Sequence, residues 1–226
     1  MACIAAAEVR DRLDRLRRRI ADAGGDPAGV TVVGVTKAFG PDEVRAALAA
    51  GLHDLGENYA AELDAKATAA TSEGLTPRWH FIGAIQRKKV RSLAPHVHLW
   101  HGVARAEEGA EIARWSPGAA VLVQVNVSGE TTKNGVAPRD VATLVAGLVE
   151  LGLDVRGLMC IAAQGPADAA RGGFRLLADT ARELDLAELS MGMTDDLEVA
   201  IQEGATMVRV GRGLFGPRQS PPGLRE

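Results

Sequence analysis

Eight apolar runs recur along this chain, and a helix-forming segment follows each of them except the last. The runs lie at residues 31–36, 53–57, 79–83, 97–100, 120–127, 155–161, 187–190 and 206–211. Strict alternation of this kind calls for parallel strands joined by helical crossovers. The runs at 31–36 and 120–127 are rich in valine and nearly unbroken, as expected of strands buried on both faces. Eight such units within 226 residues point to one domain, residues 1–226, built as a closed (β/α)8 TIM-type barrel. Ahead of the first strand, Val9, Leu13, Leu16 and Ile20 recur among charged residues at helical spacing, which adds an N-terminal helix to the barrel. A doubly wound open sheet is the competing α/β architecture, but no strand here is followed by G-x-G-x-x-G.

A barrel of this kind carries its working residues at the C-terminal ends of its strands. The first strand ends on Lys37, before Ala38-Phe39-Gly40-Pro41. An ammonium at the mouth of an apolar run is costly to desolvate, so its pKa falls readily. A lysine that is neutral part of the time can attack a carbonyl and form a Schiff base. Such a lysine can equally bury its stem and leave its head in water. After the seventh strand, Ser190-Met191-Gly192-Met193-Thr194 leads to a helix expected over 195–203. This stretch offers two hydroxyls, a glycine that admits close backbone approach, and free N–H groups. After the eighth strand comes Gly211-Arg212-Gly213, and barrels often hold a phosphate between these two loops. Each loop alone needs no ligand, since Thr194 or Asp195 can cap a helix and glycines turn corners. Arg209 is the odd residue of the eighth strand, flanked by Met207, Val208 and Val210 and on the face of Gly211. A cation there meets a buried carboxylate or a ligand acceptor. Asn58 past the second strand, His80 within the third, and Asn126, Ser128, Glu130 and Lys133 around the end of the fifth are further polar groups.

Composition narrows the function. A net charge of -3 and 4% aromatic residues give no reason to expect a nucleic-acid or membrane surface. Cys3 and Cys160 are too few and too distant for a disulfide framework, which fits a reducing compartment. The arginine-rich start carries no apolar run suited to a signal peptide, and no stretch approaches the roughly 20 apolar residues of a membrane span. A soluble, cytoplasmic protein is expected. His96-x-His98-x-x-His101 is the one histidine cluster, and no nearby cysteine or carboxylate completes a metal site. No G-x-S-x-G and no P-loop is present.

Six separated motifs carry a resemblance. They are Val35-Thr36-Lys37; Leu55-Gly56-Glu57-Asn58-Tyr59; Trp79-His80-Phe81-Ile82-Gly83 with Gln86; Gln124-Val125-Asn126 with Gly129-Glu130 and Lys133-x-Gly135; Gly157-Leu158-Met159; and Leu189-Ser190-Met191-Gly192-Met193-Thr194 continuing to Val208-Arg209-Val210-Gly211 and Phe215-Gly216. In these the chain resembles the pyridoxal-phosphate homeostasis protein family, also called the proline synthase co-transcribed family. The resemblance runs nearly end to end. It implies an alanine racemase N-terminal-like barrel that holds pyridoxal 5'-phosphate. Lys37 matches the lysine of the internal aldimine and Asn58 a residue beside the ring. Ser190, Gly192, Thr194 and Gly211 match the phosphate site, and Arg209 matches the arginine facing the pyridine nitrogen. An arginine there discourages protonation of that nitrogen and weakens the electron sink. The chain departs from the family at Lys88, usually asparagine; at His101-Gly102-Val103-Ala104-Arg105, where a serine and an aspartate are common; at Thr194, usually serine; and at Arg212, usually a small hydroxyl residue.

The resemblance implies a non-catalytic carrier that keeps free pyridoxal phosphate low and supplies it to dependent enzymes. A weak amino-acid racemase is the alternative. Related racemases use a second base supplied with help from a β-domain after the barrel, whereas here about ten residues follow Phe215 and the one tyrosine is Tyr59. That shortness argues for a carrier and for a monomer. A lysine-dependent aldolase or other phospho-sugar enzyme is a third possibility, which predicts no chromophore. The basic stretch Arg87, Lys88, Lys89 and Arg91 reads as a solvated helix face.

Overall fold

The computed structural model describes residues 4–130, 134–162 and 165–217; Cys3, Lys133 and the tail at 219–223 lie outside them. Helix α1 (Ala6–Asp22) comes first and buries Val9, Leu13, Leu16 and Ile20, the stripe that its spacing predicts. Then β1 (Thr31–Val35), α2 (Pro41–Ala49), β2 (Asp54–Glu57), α3 (Ala60–Ser72), β3 (Arg78–Phe81) and α4 (Arg87–Leu93) alternate. They are followed by β4 (Val97–Val103), α5 (Ala106–Trp115), β5 (Ala120–Gln124), α6 (Val141–Glu150), β6 (Asp154–Met159) and α7 (Arg171–Glu183). Last come β7 (Glu188–Ser190), α8 (Leu197–Gln202), β8 (Met207–Val210) and α9 (Arg212–Phe215). The strands pair in parallel, in chain order, and β8 returns to β1 with Val33 opposite Arg209, which closes the barrel.

Two apolar layers hold it. Val33, Leu99, Ala120, Leu122, Met159 and Met207 form an inner cluster, and a larger one joins the outward strand residues to the helices. Helix α1 packs against α2, α8 and α9, beside the β8–β1 seam. From α1, Arg19 reaches the segment after β7, donating to Thr194 O at 2.9 Å and to Glu198 Oε1 at 2.6 Å.

Several elements differ from the sequence reading. Strand β4 runs on to Val103 instead of stopping near residue 100, with irregular pairing to β5 between Trp100 and Val103, and so carries His101 into the sheet. Strand β5 ends at Gln124, because Gly135 at φ 128° folds back where a Cβ would stand 2.6 Å from Asn126 N. Helix α8 starts later than expected, since Asp196 turns its carboxylate onto the Met193 N–H at 2.6 Å. The four-residue α9 follows β8, too short to show a period. The helices expected over 138–151 and 167–184 each open with a 3₁₀ turn, Pro138–Asp140 and Ala167–Ala170.

Gly147 sits within α6, where an added Cβ would meet no atom within 4 Å. Gly147→Ala should therefore raise the urea unfolding free energy by about 0.5–1 kcal/mol, the difference in helix propensity.

Candidate functional site

In a parallel barrel all the strand ends of one polarity converge, and the sequence-predicted residues sit at that end. A cleft of about 170 Å³ is lined there by Lys37, Asn58, Thr194, Arg209 and Gly211, with Val35, Ile82, Ile161 and Met193 among its apolar walls. Arg212 and Asp195 close one side as an ion pair of 3.1 Å. Ser190 and Gly192 do not line the cleft. Gly192, at φ 88°, stands behind it: its carbonyl accepts the Arg209 N–H at 3.0 Å, and a Cβ on it would press within 2.5 Å of Ala200. Ser190 is placed differently from its expected part in a phosphate cradle. Its hydroxyl is buried, 2.6 Å from Arg209 Nη1 and 3.0 Å from His101 Nδ1, so both its accepting and its donating sides are engaged.

Lys37 follows β1 in a turn whose two neighbours are pinned from outside the barrel. Thr36 donates its hydroxyl to Glu57 Oε1 at 2.7 Å, and its carbonyl accepts from Lys66 Nζ at 2.7 Å. Ala38, held at φ 62°, gives its N–H to Glu62 Oε2 at 2.8 Å. Lys66 ties the group together, 2.6 Å from Glu57 Oε1 and 3.2 Å from Glu62 Oε2. Burial pushes the Glu57 carboxyl above its ordinary range, against the pull of Lys66 and Thr36. Sequence reasoning quoted Thr36 and Glu57 within motifs but assigned Glu62 and Lys66 no part, yet Lys66 shares the buried face of α3 with Leu63, Ala67 and Ala70, an unusual place for a lysine.

Arg209 is buried, and burial pulls its guanidinium down from the usual arginine range. Its second hydrogen bond goes to Cys160 O at 2.8 Å. Among the described residues no carboxylate comes within ion-pair distance of it. The Cys160 thiol is pushed up to about 12 by burial and so stays protonated. Tyr59 is 54% exposed and does not line the cleft. Of the histidine cluster, His96 precedes β4 and lies 3.7 Å from Asp64, His98 packs edge-on to His80, and His101 is fully buried. Another cleft, of about 490 Å³, is at the other end of the barrel, beside Asp54 and Arg78.

A closed parallel barrel with its cleft at the C-terminal strand ends defines the class. The family described as "Alanine racemase, N-terminal domain" matches residues 4–219, and this chain is a barrel of that class. An alanine racemase of Clostridium difficile shares the fold, with a TM-score of 0.70 at 17% identity over 93% of this chain and 58% of that one. The pyridoxal phosphate homeostasis protein of Pseudomonas aeruginosa is 42% identical over 212 residues, covering 90% of this chain and 91% of its own. The structure of PipY from Synechococcus elongatus with PLP bound is 31% identical with a TM-score of 0.74, covering 89% of this chain and 100% of that one. The chain belongs to the pyridoxal phosphate homeostasis protein family.

Proposed function

We propose that this chain stores pyridoxal 5'-phosphate in the cleft and releases it, without turning substrates over. The observation that carries this is Arg209: a buried cation with only neutral partners among the described residues, facing the same small cleft as a lysine. A buried charge without a counter-ion is costly, and a ligand acceptor relieves that cost. A phosphorylated aldehyde suits the donors present, so the residues fit the cofactor.

In this role Lys37 would hold the cofactor, its amine being the group on the cleft wall that suits an aldehyde. Asn58 and Arg209 would hold the ring, and the Arg209 guanidinium would disfavour a proton on the ring nitrogen. Thr194, Gly211 and the first amides of α9 would hold the phosphate, with Gly192 shaping the approach. Ser190 seats Arg209. When bound, the cofactor supplies an electrophilic carbon conjugated to a ring. Among the described residues no tyrosine, histidine or cysteine lines the cleft to act as a second base, and its carboxylate, Asp195, is paired with Arg212, which supports a holder over a racemase. The role is that of a cytoplasmic, monomeric, one-domain carrier, with pyridoxal-phosphate-dependent enzymes as recipients.

Absorbance tests this. The purified protein given pyridoxal phosphate should show a band at the violet edge of the visible, and Lys37→Ala should lack it. Racemisation of alanine by the loaded protein should not exceed that of free cofactor. No band in the parent with excess cofactor would sink the proposal and revive a phospho-sugar enzyme, and turnover would make the chain a racemase.

A further inference from the structure

Arg209 is the inner end of a hydrogen-bonded chain that crosses the barrel. Ser190 Oγ lies 2.6 Å from Arg209 Nη1 and 3.0 Å from His101 Nδ1. His101 Nε2 lies 2.9 Å from His80 Nδ1, and His80 Nε2 lies 3.0 Å from Asp54 Oδ1. Arg209, Ser190, His101 and His80 are all buried, while Asp54 opens onto the cleft at the opposite end. Burial alone would raise the Asp54 carboxyl, but bonds from Arg78 and His80 hold it well below the usual carboxylate range.

Donor counting fixes each hydrogen. A guanidinium only donates, so Ser190 Oγ accepts from Arg209. The single hydroxyl hydrogen then goes to His101 Nδ1, which leaves the hydrogen of that ring on Nε2, directed at His80 Nδ1. His80 therefore carries its hydrogen on Nε2 and gives it to Asp54. The opposite order would make Ser190 accept twice and strand its hydrogen in a dry interior, which is costly. Burial, reinforced by the Arg209 guanidinium, holds His101 well below the usual histidine range, consistent with a single ring hydrogen.

We propose that His101, backed by His80, is a positioning residue for Arg209: it turns the Ser190 hydroxyl into a fixed acceptor, so that Arg209 is oriented by neutral groups and keeps its charge for the cofactor. This rests on the carrier role above. Every hydrogen from Ser190 to Asp54 points away from the cleft. No acid therefore stands behind Arg209 to pass a proton to an acceptor in front of it. A carboxylate in place of Ser190 would instead neutralise the arginine.

Two measurements test the chain. In the ligand-free protein, long-range nitrogen–proton NMR correlations should show both imidazoles as Nε2–H tautomers; a hydrogen on His101 Nδ1 would overturn the proposal. Pyridoxal phosphate titrated into folded variants gives the second reading. His101→Phe should weaken binding about tenfold, the effect of loosening one charged hydrogen bond, and should move the absorbance maximum of the bound form. His101→Gln, whose carboxamide offers one acceptor and one donor, should restore both. Ser190→Ala should match His101→Phe, and the double variant should be no worse than either. Parent-like affinity and maximum in both single variants overturn the proposal. Should His101→Phe not fold, Ser190→Ala and the tautomers decide it. A parent that takes up no cofactor overturns the carrier role and leaves the tautomers to judge the chain.

Discussion

Replacing Lys66 with alanine should cost about 3–5 kcal/mol of folding stability, the range for stripping one partner from a buried ion pair. The Lys66 side chain is 6% exposed and that of Glu57 is fully buried, so neither can turn to solvent. Lys66 Nζ serves Glu57, the Thr36 carbonyl and Glu62 at once. Among the described residues Glu57 Oε2 already has no hydrogen-bond partner. Without the ammonium the Glu57 carboxylate would keep one hydroxyl donor in an apolar pocket, and it would take up a proton instead of staying charged.

That gives the loss a direction in pH. The Glu57 pKa is already raised in the folded state, and loss of Lys66 raises it further. A carboxyl with a raised folded pKa contributes stability that is fully present below its unfolded pKa and is lost as pH climbs through the folded one. The gap between parent and Lys66→Ala should thus be widest above the folded pKa and narrow as pH falls toward about 4. At neutral pH the melting temperature should drop by roughly 6–20 °C for a chain of this size. Glu57→Met combined with Lys66→Met should recover part of it, because apolar replacements leave no stranded charge. A loss under about 1 kcal/mol at neutral pH would mean that the pair behaves as an exposed one. The variant should also loosen the turn around Lys37, since Ala38 keeps its unfavourable φ of 62° with help from Glu62, itself held by Lys66.

The barrel was legible because parallel strands buried on both faces read as continuous apolar runs, and the alternation with helices repeats eight times. Lys37, Asn58, Arg209 and Gly211 were legible as neighbours for a related reason: strand ends of one polarity meet at one rim. Where a side chain turns within that rim depends on register, which period two does not supply. Ser190 pairs opposite Met207, which sets its hydroxyl under Arg209 and away from the cleft. His101 was hidden by the irregular pairing of β4 with β5, which lets the strand continue past the apolar run that marked it. The Glu57–Lys66 pair needs the docking of α3 on β2 before its two ends are neighbours.

Gly83→Ala should be the more severe change, with a loss above about 4 kcal/mol or no soluble protein, although it adds a single methyl group. Its Cβ would stand 2.0 Å from the Asn58 carbonyl oxygen, 2.8 Å from the carbonyl carbon and 3.1 Å from Cα. All three are backbone atoms, so no rotamer change relieves the contact, and β2 must move away from β3. Movement the other way is blocked as well, because Gly102 brings β4 against the Gly83 carbonyl, where a Cβ would lie at 2.5 Å. The tops of three strands are thus in backbone contact, and Asn58 enters the cleft from that contact. Any Gly83→Ala protein that does fold should bind pyridoxal phosphate more weakly than the parent, because the strain is released by displacing Asn58. Gly147→Ala adds the same methyl group where nothing is crowded and should change stability in the opposite sense, which separates a packing effect from a general effect of losing glycine. Thermal unfolding and a cofactor titration on the two variants read both effects. A Gly83→Ala protein melting within about 2 °C of the parent, less than 1 kcal/mol for a chain of this size, would show that β2 and β3 do not approach this closely.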